Sequence, residues 1–301
     1  MPLPKENYDT APGLRRSDLW TIHKSPAHFK ERMDNPTEPT PSLLFGIACH
    51  MAILEPNRFI TTYRIIPEIN KRTKEGKKAW AEFCEECERN SQIPISRADY
   101  DTILAMKTNL SNDPLASLFL NGKHETEWYW DDPITGIPLK CKCDIITDYQ
   151  GKKYIVDYKT TDSCEDGHFE RNVNKYGYQF QAGFYTSGLK EVTGENYGFA
   201  FLSQEKKPPY ACRVYLCSDM FIEKGKEIFR NLVNRYHLCK TTDNWFGYAG
   251  QTPTPVILMD YEEKKQYNQG KTPTSASGFR SDDYLQYNDF EESAEDPYDD
   301  L

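Results

Sequence analysis

The sequence predicts an α/β fold, and three observations carry that expectation. Helical patterns fill most of residues 16–111 and return at 168–189. Between them lie three short runs rich in β-branched and aromatic residues: ETEWYWD (125–131), PLKCKCDII (138–146) and KKYIVDYK (152–159). Turn residues separate these runs, Pro133 and Gly136 first and then Gly151, so they read as an antiparallel meander of three strands.

Residues 1–12 are proline-rich and polar and are expected to form a loose arm. A helix is predicted from Arg16 to Met33, with Leu19, Trp20, Ile22, Phe29 and Met33 as apolar contacts and Ser17 as its N-cap. DNPTEPTPS (34–42) is a connector, and the next helix runs from about Leu43 to Leu54, carries His50 and stops before Pro56. Charge pattern predicts an exposed helix over 75–91, and another follows over 97–111. Beyond the meander, residues 168–189 are helical in spacing, although Gly177 and Gly183 threaten their continuity. Two more strands are expected, 197–203 and 211–217, and then a helix from about Met220 to Cys239. The chain turns polar after Thr252, and disorder is expected beyond Lys264. The expected division is an arm (1–12), one domain (13–250) and a polar, acidic tail (251–301).

The net charge of −9 argues at first against a nucleic-acid partner, but its distribution reverses that. Nine acids and no Lys or Arg lie in residues 281–301, which leaves 37 acids against 37 bases in the rest of the chain. A neutral body can still present a basic face. The acidic tail is a solubilising end or, with Tyr298 and Leu301, a docking peptide for a basic partner. No apolar run has the length of a membrane span, and MPLPKENYDT lacks a basic and apolar leader. A cytoplasmic protein without a membrane role and with nine reduced cysteines is therefore expected. Cys84 and Cys87 form a CxxC on a charged helix with no second pair, and the later cysteines lack cluster spacing, so no zinc or iron–sulfur site is assembled. No glycine-rich phosphate loop is present.

The chemistry-bearing pattern is Asp144 followed by Asp157-Tyr158-Lys159. Asp157 and Lys159 are two apart on a strand and leave the same face, while Asp144 lies on the preceding strand within reach across the ladder. Converging carboxylates suit a hard divalent cation. An ammonium beside them can orient a water or stabilise charge on a phosphate. A D-x-K pair on a strand is often only a solvated surface pair. Here it follows the apolar run YIV and is preceded at hairpin distance by a second acid-bearing strand, CKCDII.

These residues resemble the PD-(D/E)xK nuclease superfamily. More of the chain agrees, in order: RRSDLWTIHKSPAHFKERM (15–33), TPSLLFGIACHMAILEPNRF (40–59), CKCDIITD with IVDYKTTD, and NKYGYQFQAGFY (174–185). Together, over roughly residues 13–240, they resemble the RecE-type exonuclease (exodeoxyribonuclease VIII-like) domain of phages and prophages. The resemblance implies a restriction-endonuclease-like core with a central mixed β-sheet flanked by helices. It implies Asp144 and Asp157 as metal ligands, joined by His50 and the Tyr158 backbone carbonyl, and Lys159 as the catalytic lysine. Glu125 or Glu127 fills the acidic slot on the strand before Asp144; the two share one face, and Glu125 is favoured. Gln181 and Tyr185, four apart on one helical face, match a Q-x-x-x-Y element that positions DNA. Without the resemblance, His50 reads as an ordinary helix histidine and Tyr185 as core. One departure stands: Cys143, not proline, precedes Asp144.

The implied activity is Mg2+-dependent (Mn2+ can substitute) 5′-to-3′ digestion of double-stranded DNA ends, leaving 3′ overhangs for phage-type recombination. The implied partners are a RecT-like single-strand annealing protein and further copies of the chain in a homo-oligomeric ring. Arg15, Arg16 and Ser17 at a helix start are candidates for a 5′-phosphate, against the plain reading of a solvated helix end. The alternatives are an endonuclease of the same fold and a DNA-binding module without catalysis.

Overall fold

The computed structural model of the chain describes residues 8–248, so the acidic tail and residues 1–7 of the expected arm lie outside the described residues. In chain order the elements are α1 (Arg16–Lys24), α2 (Pro26–Asp34), α3 (Pro41–Leu54), α4 (Pro56–Thr62), β1 (Tyr63–Ile65), α5 (Lys74–Arg89), β2 (Ile93–Ile95), α6 (Arg97–Asn112) and α7 (Pro114–Leu120). The strands β3 (Lys123–Asp131), β4 (Pro138–Tyr149) and β5 (Lys152–Thr161) follow, then α8 (Asp166–Tyr176), α9 (Tyr178–Thr193), β6 (Gly198–Glu205), β7 (Cys212–Leu216) and α10 (Asp219–Thr242). The expected α/β class and the mixed central sheet are what the chain forms. Strand order is β3-β4-β5-β6-β7, antiparallel except for the parallel pair β5 and β6. A parallel pair needs a crossover, and α8 and α9 supply it. The three-stranded meander forms as the turn residues predict.

Both faces of the sheet are covered, as the fully buried run of β6 requires. Phe199 and Phe201 point into one core with Leu19, Phe180, Phe184 and Phe229 from α1, α9 and α10. Ala200 and Leu202 point into the other with Ala48, Cys49, Ile103 and Phe119 from α3, α6 and α7. The site helices are thereby fixed from opposite sides, α3 on one face and α9 on the other.

Several boundaries differ from expectation for local reasons. The helix predicted over 16–33 is two helices, because Ser25 is extended and caps α2 ahead of Pro26. Arg15, not Ser17, is the N-cap of α1, and Asp18 reaches back to accept the Arg15 backbone N–H at 2.8 Å. Leu19, Ile22 and Phe29 are buried, whereas Met33 is exposed. Gly177 ends α8 in the left-handed region (φ 64°), and the Trp20 ring lies where a Cβ would sit, so both conformation and space demand glycine. Gly183 does not break α9; it abuts the backbone of Gly225 and lets α9 and α10 cross closely. The short elements α4, α7, β1 and β2 were not legible in the pattern. Nor is the described part of the arm loose: Lys140 Nζ donates to the carbonyls of Tyr8 and Ala11, each at 2.6 Å, and Leu14 pairs with Leu139.

Candidate active site

The site begins where the sheet forks. β4 and β5 pair from Tyr149–Lys152 to Ile145–Val156, and the pairing stops there. One further step would set Asp144 against Asp157. Instead the strands part, and Asp144 Oδ2 accepts the Tyr158 N–H at 2.9 Å, the backbone group that loses its ladder partner. The same level is irregular on β3. The register that sets His124 against Ile145 and Thr126 against Cys143 brings Glu125 opposite Asp144, but the pairing skips this position. Glu125 is in the left-handed region (φ 51°), a costly conformation for a side-chain-bearing residue. Three carboxylates thus stand in one row across three adjacent strands.

The irregularity sets the two glutamates apart. Two residues apart on a regular strand they would share a face; with Glu125 turned left-handed they do not behave alike. Glu125 is buried, lines the cavity and pairs with Lys142 Nζ at 2.6 Å. Glu127 accepts from the Tyr129 hydroxyl at 3.1 Å and lies outside the cavity lining.

Each helix face delivers one polar group to the fork. From α3, His50 Nδ1 lies 3.5 Å from Asp144 Oδ2, its ring set edgewise against Tyr158. From α9, Gln181 Nε2 donates to Asp157 Oδ1. Lys159 Nζ is 3.0 Å from Asp157 Oδ2. Tyr185 packs edgewise on Phe199 and also lines the cavity, so it serves the core and the site wall together. At the start of α1, Arg15 bonds to Asp18, and Arg16 is buried with its guanidinium donating to the Tyr176 carbonyl. Arg15, Arg16 and Ser17 all line the same cavity, of about 410 Å³.

The electrostatics mark the fork as short of positive charge. Burial, then the Asp157 and Glu125 carboxylates, push the Asp144 carboxyl well above its ordinary range, against the pull of Lys159 and the Tyr158 N–H. Burial, and then Lys159, bring His50 down to about 4, so the ring is neutral near pH 7 and keeps a lone pair to offer. Around this acidic floor the lining is basic: Arg15, Arg16, Arg58, Lys140, Lys142 and Lys159 against Glu55, Glu125, Asp144 and Asp157.

Among the described residues no three His, Cys, Asp or Glu side chains are drawn together as a finished metal cage. The donor set nonetheless fits a hard divalent cation. Asp157 Oδ2 is enclosed and takes no hydrogen bond of good geometry, although Lys159 lies beside it, and the Gln181 carbonyl oxygen is likewise enclosed without a partner. Oxygen donors held in excess of their protons and partners are what such an ion requires. The nine cysteines are all free, and burial raises most of their thiols.

Sequence reasoning missed Lys142, Lys140 and Tyr8, all on the cavity wall. A signal for the first was present: Lys142-Cys143-Asp144 is the mirror image of Asp157-Tyr158-Lys159.

No curated protein gives a significant match. A solved structure from Eubacterium rectale, described as a "Putative exonuclease", is similar in fold, with TM-score 0.58 and 14% identity over 85% of this chain and 97% of that one. A second, described as SSO0001, reaches TM-score 0.29 at 13% identity, over 72% of this chain and 86% of that one, too low to bear on the fold. Residues 16–254, most of the chain, match the family described as "PDDEXK-like domain of unknown function (DUF3799)", and the chain belongs to that family.

Proposed function

We propose that the protein is a Mg2+-dependent deoxyribonuclease of the RecE type, digesting duplex DNA from 5′ ends and leaving 3′ overhangs for strand annealing. The observation that carries this reading is the fork: three carboxylates in one row with a lysine beside them, where strand pairing lapses and basic side chains line the cavity. Membership of a PDDEXK-like family and the fold likeness to a protein described as an exonuclease support it. The finer points of polarity, overhang and recombination rest on the ordered sequence motifs.

Asp144 and Asp157 would hold the cation, with Glu125, His50 and the Tyr158 backbone carbonyl as further donors. Once bound, the cation would polarise the scissile phosphate and acidify a water. The chain's own residues do the rest. Gln181 fixes one Asp157 oxygen and leaves the other beside Lys159. The Lys159 ammonium is then placed to orient the attacking water or to stabilise charge gathering on phosphate oxygens. Neutral His50 adds no positive charge against the cation. The cationic rim draws the duplex in through its phosphates. Arg16 and Ser17 give a seat for the 5′-phosphate at the start of α1, and Tyr185 and Gln181 form the wall against which the end is positioned. A RecT-like annealing protein and a ring of copies are the partners this role calls for.

The test is digestion of linear duplex bearing or lacking a 5′-phosphate, with Mg2+, beside closed circles. Mononucleotides released from 5′-phosphorylated ends, with circles left intact, support the reading. Cut circles point to an endonuclease, and binding without cleavage under every divalent cation tried points to a DNA-binding module.

A further inference from the structure

The mirrored lysine has no assigned role, and its placement gives it one. Lys142 precedes Asp144 by two residues as Lys159 follows Asp157 by two, and β4 and β5 run antiparallel. The two lysines therefore lie in the same direction along the sheet from the acid row, one on each arm of the fork. Both line the cavity. Lys159 stands over Asp157 at 3.0 Å, and Lys142 holds Glu125 at 2.6 Å. Their settings differ. The Lys159 side chain is 14% exposed, whereas that of Lys142 is 37% exposed. The Lys142 ammonium also lies 6.0 Å from the centre of the Tyr8 ring on the rim. It can leave Glu125 for the rim without leaving the cavity.

The charges explain why it would. Glu125, Asp144 and Asp157 stand in one row, and two ammoniums reach it, Lys142 at Glu125 and Lys159 at Asp157. Lys142 occupies the carboxylate that a divalent cation would claim. Resting on the reading of the site as a metal-dependent nuclease, we propose that Lys142 is a hand-over residue. It neutralises Glu125 while the site is empty, gives that carboxylate up to the cation, and moves its ammonium to a backbone phosphate of the DNA strand at the rim. Loading the metal and gripping the substrate then become one coupled event. The freed ammonium gains a phosphate of the polyanion as its new partner, and the polyanion gains that contact once Glu125 has been given up.

Two quantities read this out on the full chain without measuring turnover. The first is Mn2+ affinity of chelator-stripped protein by calorimetry. The second is the salt dependence of binding to a blunt, 5′-phosphorylated duplex with Ca2+ in place of Mg2+. Lys142→Met removes the competitor for Glu125 and should tighten Mn2+ about tenfold. It should also flatten the salt slope by about 0.9, the loss of one phosphate contact. Lys142→Gln keeps a polar head at this partly exposed position and should do the same, whereas Lys142→Arg should keep the wild-type slope. In a Glu125→Gln background, Lys142→Met should bring no further gain in Mn2+ affinity. Lys153→Met, at an exposed lysine paired with Glu195, should leave both quantities unchanged. If Mn2+ affinity or the salt slope of both Lys142→Met and Lys142→Gln stays at the wild-type value, the hand-over is overturned while the nuclease reading stands. If wild-type protein takes up neither Mn2+ nor duplex, that reading falls and the hand-over with it.

Discussion

Strands β4 and β5 are two different structures along one length. From Ile145 to Tyr149 and from Lys152 to Val156 they form a regular ladder, with Ile145, Ile155 and Val156 fully buried. Beyond Asp144 and Asp157 they separate, and each keeps only its outer neighbour, β3 or β6. The zipped half is held by its own backbone and two apolar cores. The forked half shares that apolar packing, with Leu139, Cys141, Cys143 and Tyr158 buried in the same two cores, but it lacks the ladder between β4 and β5 and adds groups brought from elsewhere. Leu14 exchanges backbone bonds with Pro138 and Lys140, Lys140 clamps the segment from Tyr8 to Ala11, and Arg230 grips Asp132 at the β3–β4 turn through bonds of 2.8 and 2.9 Å. A continuous ladder is stable but leaves its acids no common space. Opening it frees room for a row of carboxylates at the cost of anchors around them. Stability and chemistry are therefore separable by position.

The largest separation is expected at the fork itself. Asp157→Ala or Lys159→Ala should lower release of nucleotides from labelled ends by about a hundredfold or more, with the unfolding midpoint held. A loss of rate that tracks a loss of folded protein would erase the distinction. Next come the anchors. Burial alone would raise the Asp132 carboxyl, but the bonds from Arg230 and Thr135 outweigh it and hold the group below its ordinary range. Asp132→Ala leaves the partly exposed Arg230 without its partner and should cost about 1–3 kcal/mol in denaturant unfolding near pH 7. Because the folded-state value is depressed, this contribution is present above the ordinary carboxylate range and fades as pH falls through the folded value. The gap between wild type and Asp132→Ala should close on acidification; a gap that widens would refute the assignment.

Within the acid row the sign should invert. Asp144→Asn keeps an acceptor for the Tyr158 N–H and removes a charge repelled by Asp157 and Glu125. In chelator it should raise stability by about 1–2 kcal/mol while abolishing cleavage. A destabilised Asp144→Asn would show that the row is not under charge strain. The smallest effect belongs to the zipped half. Ile155→Val should cost about 1 kcal/mol and leave the cleavage rate alone.

The same comparison explains what the sequence could tell. The zipped half was legible because alternation and turn residues report regular pairing, as Gly151 and the run YIV do here. Asp157 and Lys159 were legible because they remain on one regular strand. Glu125 was not separable from Glu127, because the choice depends on a left-handed residue that breaks the alternation used to read faces. Lys142 escaped notice because its meaning appears only when β3, β4 and β5 are set in register. The break between α1 and α2 was signalled by Ser25-Pro26. The anchors at Asp132 and Lys140 reach Arg230 and Tyr8, separations of 98 and 132 residues that no local pattern carries.

The fork is the proposed seat of a divalent cation. Crystals of the wild-type chain soaked in Mn2+ and examined by anomalous diffraction test this most directly. A peak shared by Asp144 and Asp157, with Lys159 beside it and the Lys142 ammonium withdrawn from Glu125, is the predicted result. Clean density for those side chains with no peak between them at saturating Mn2+ would contradict it.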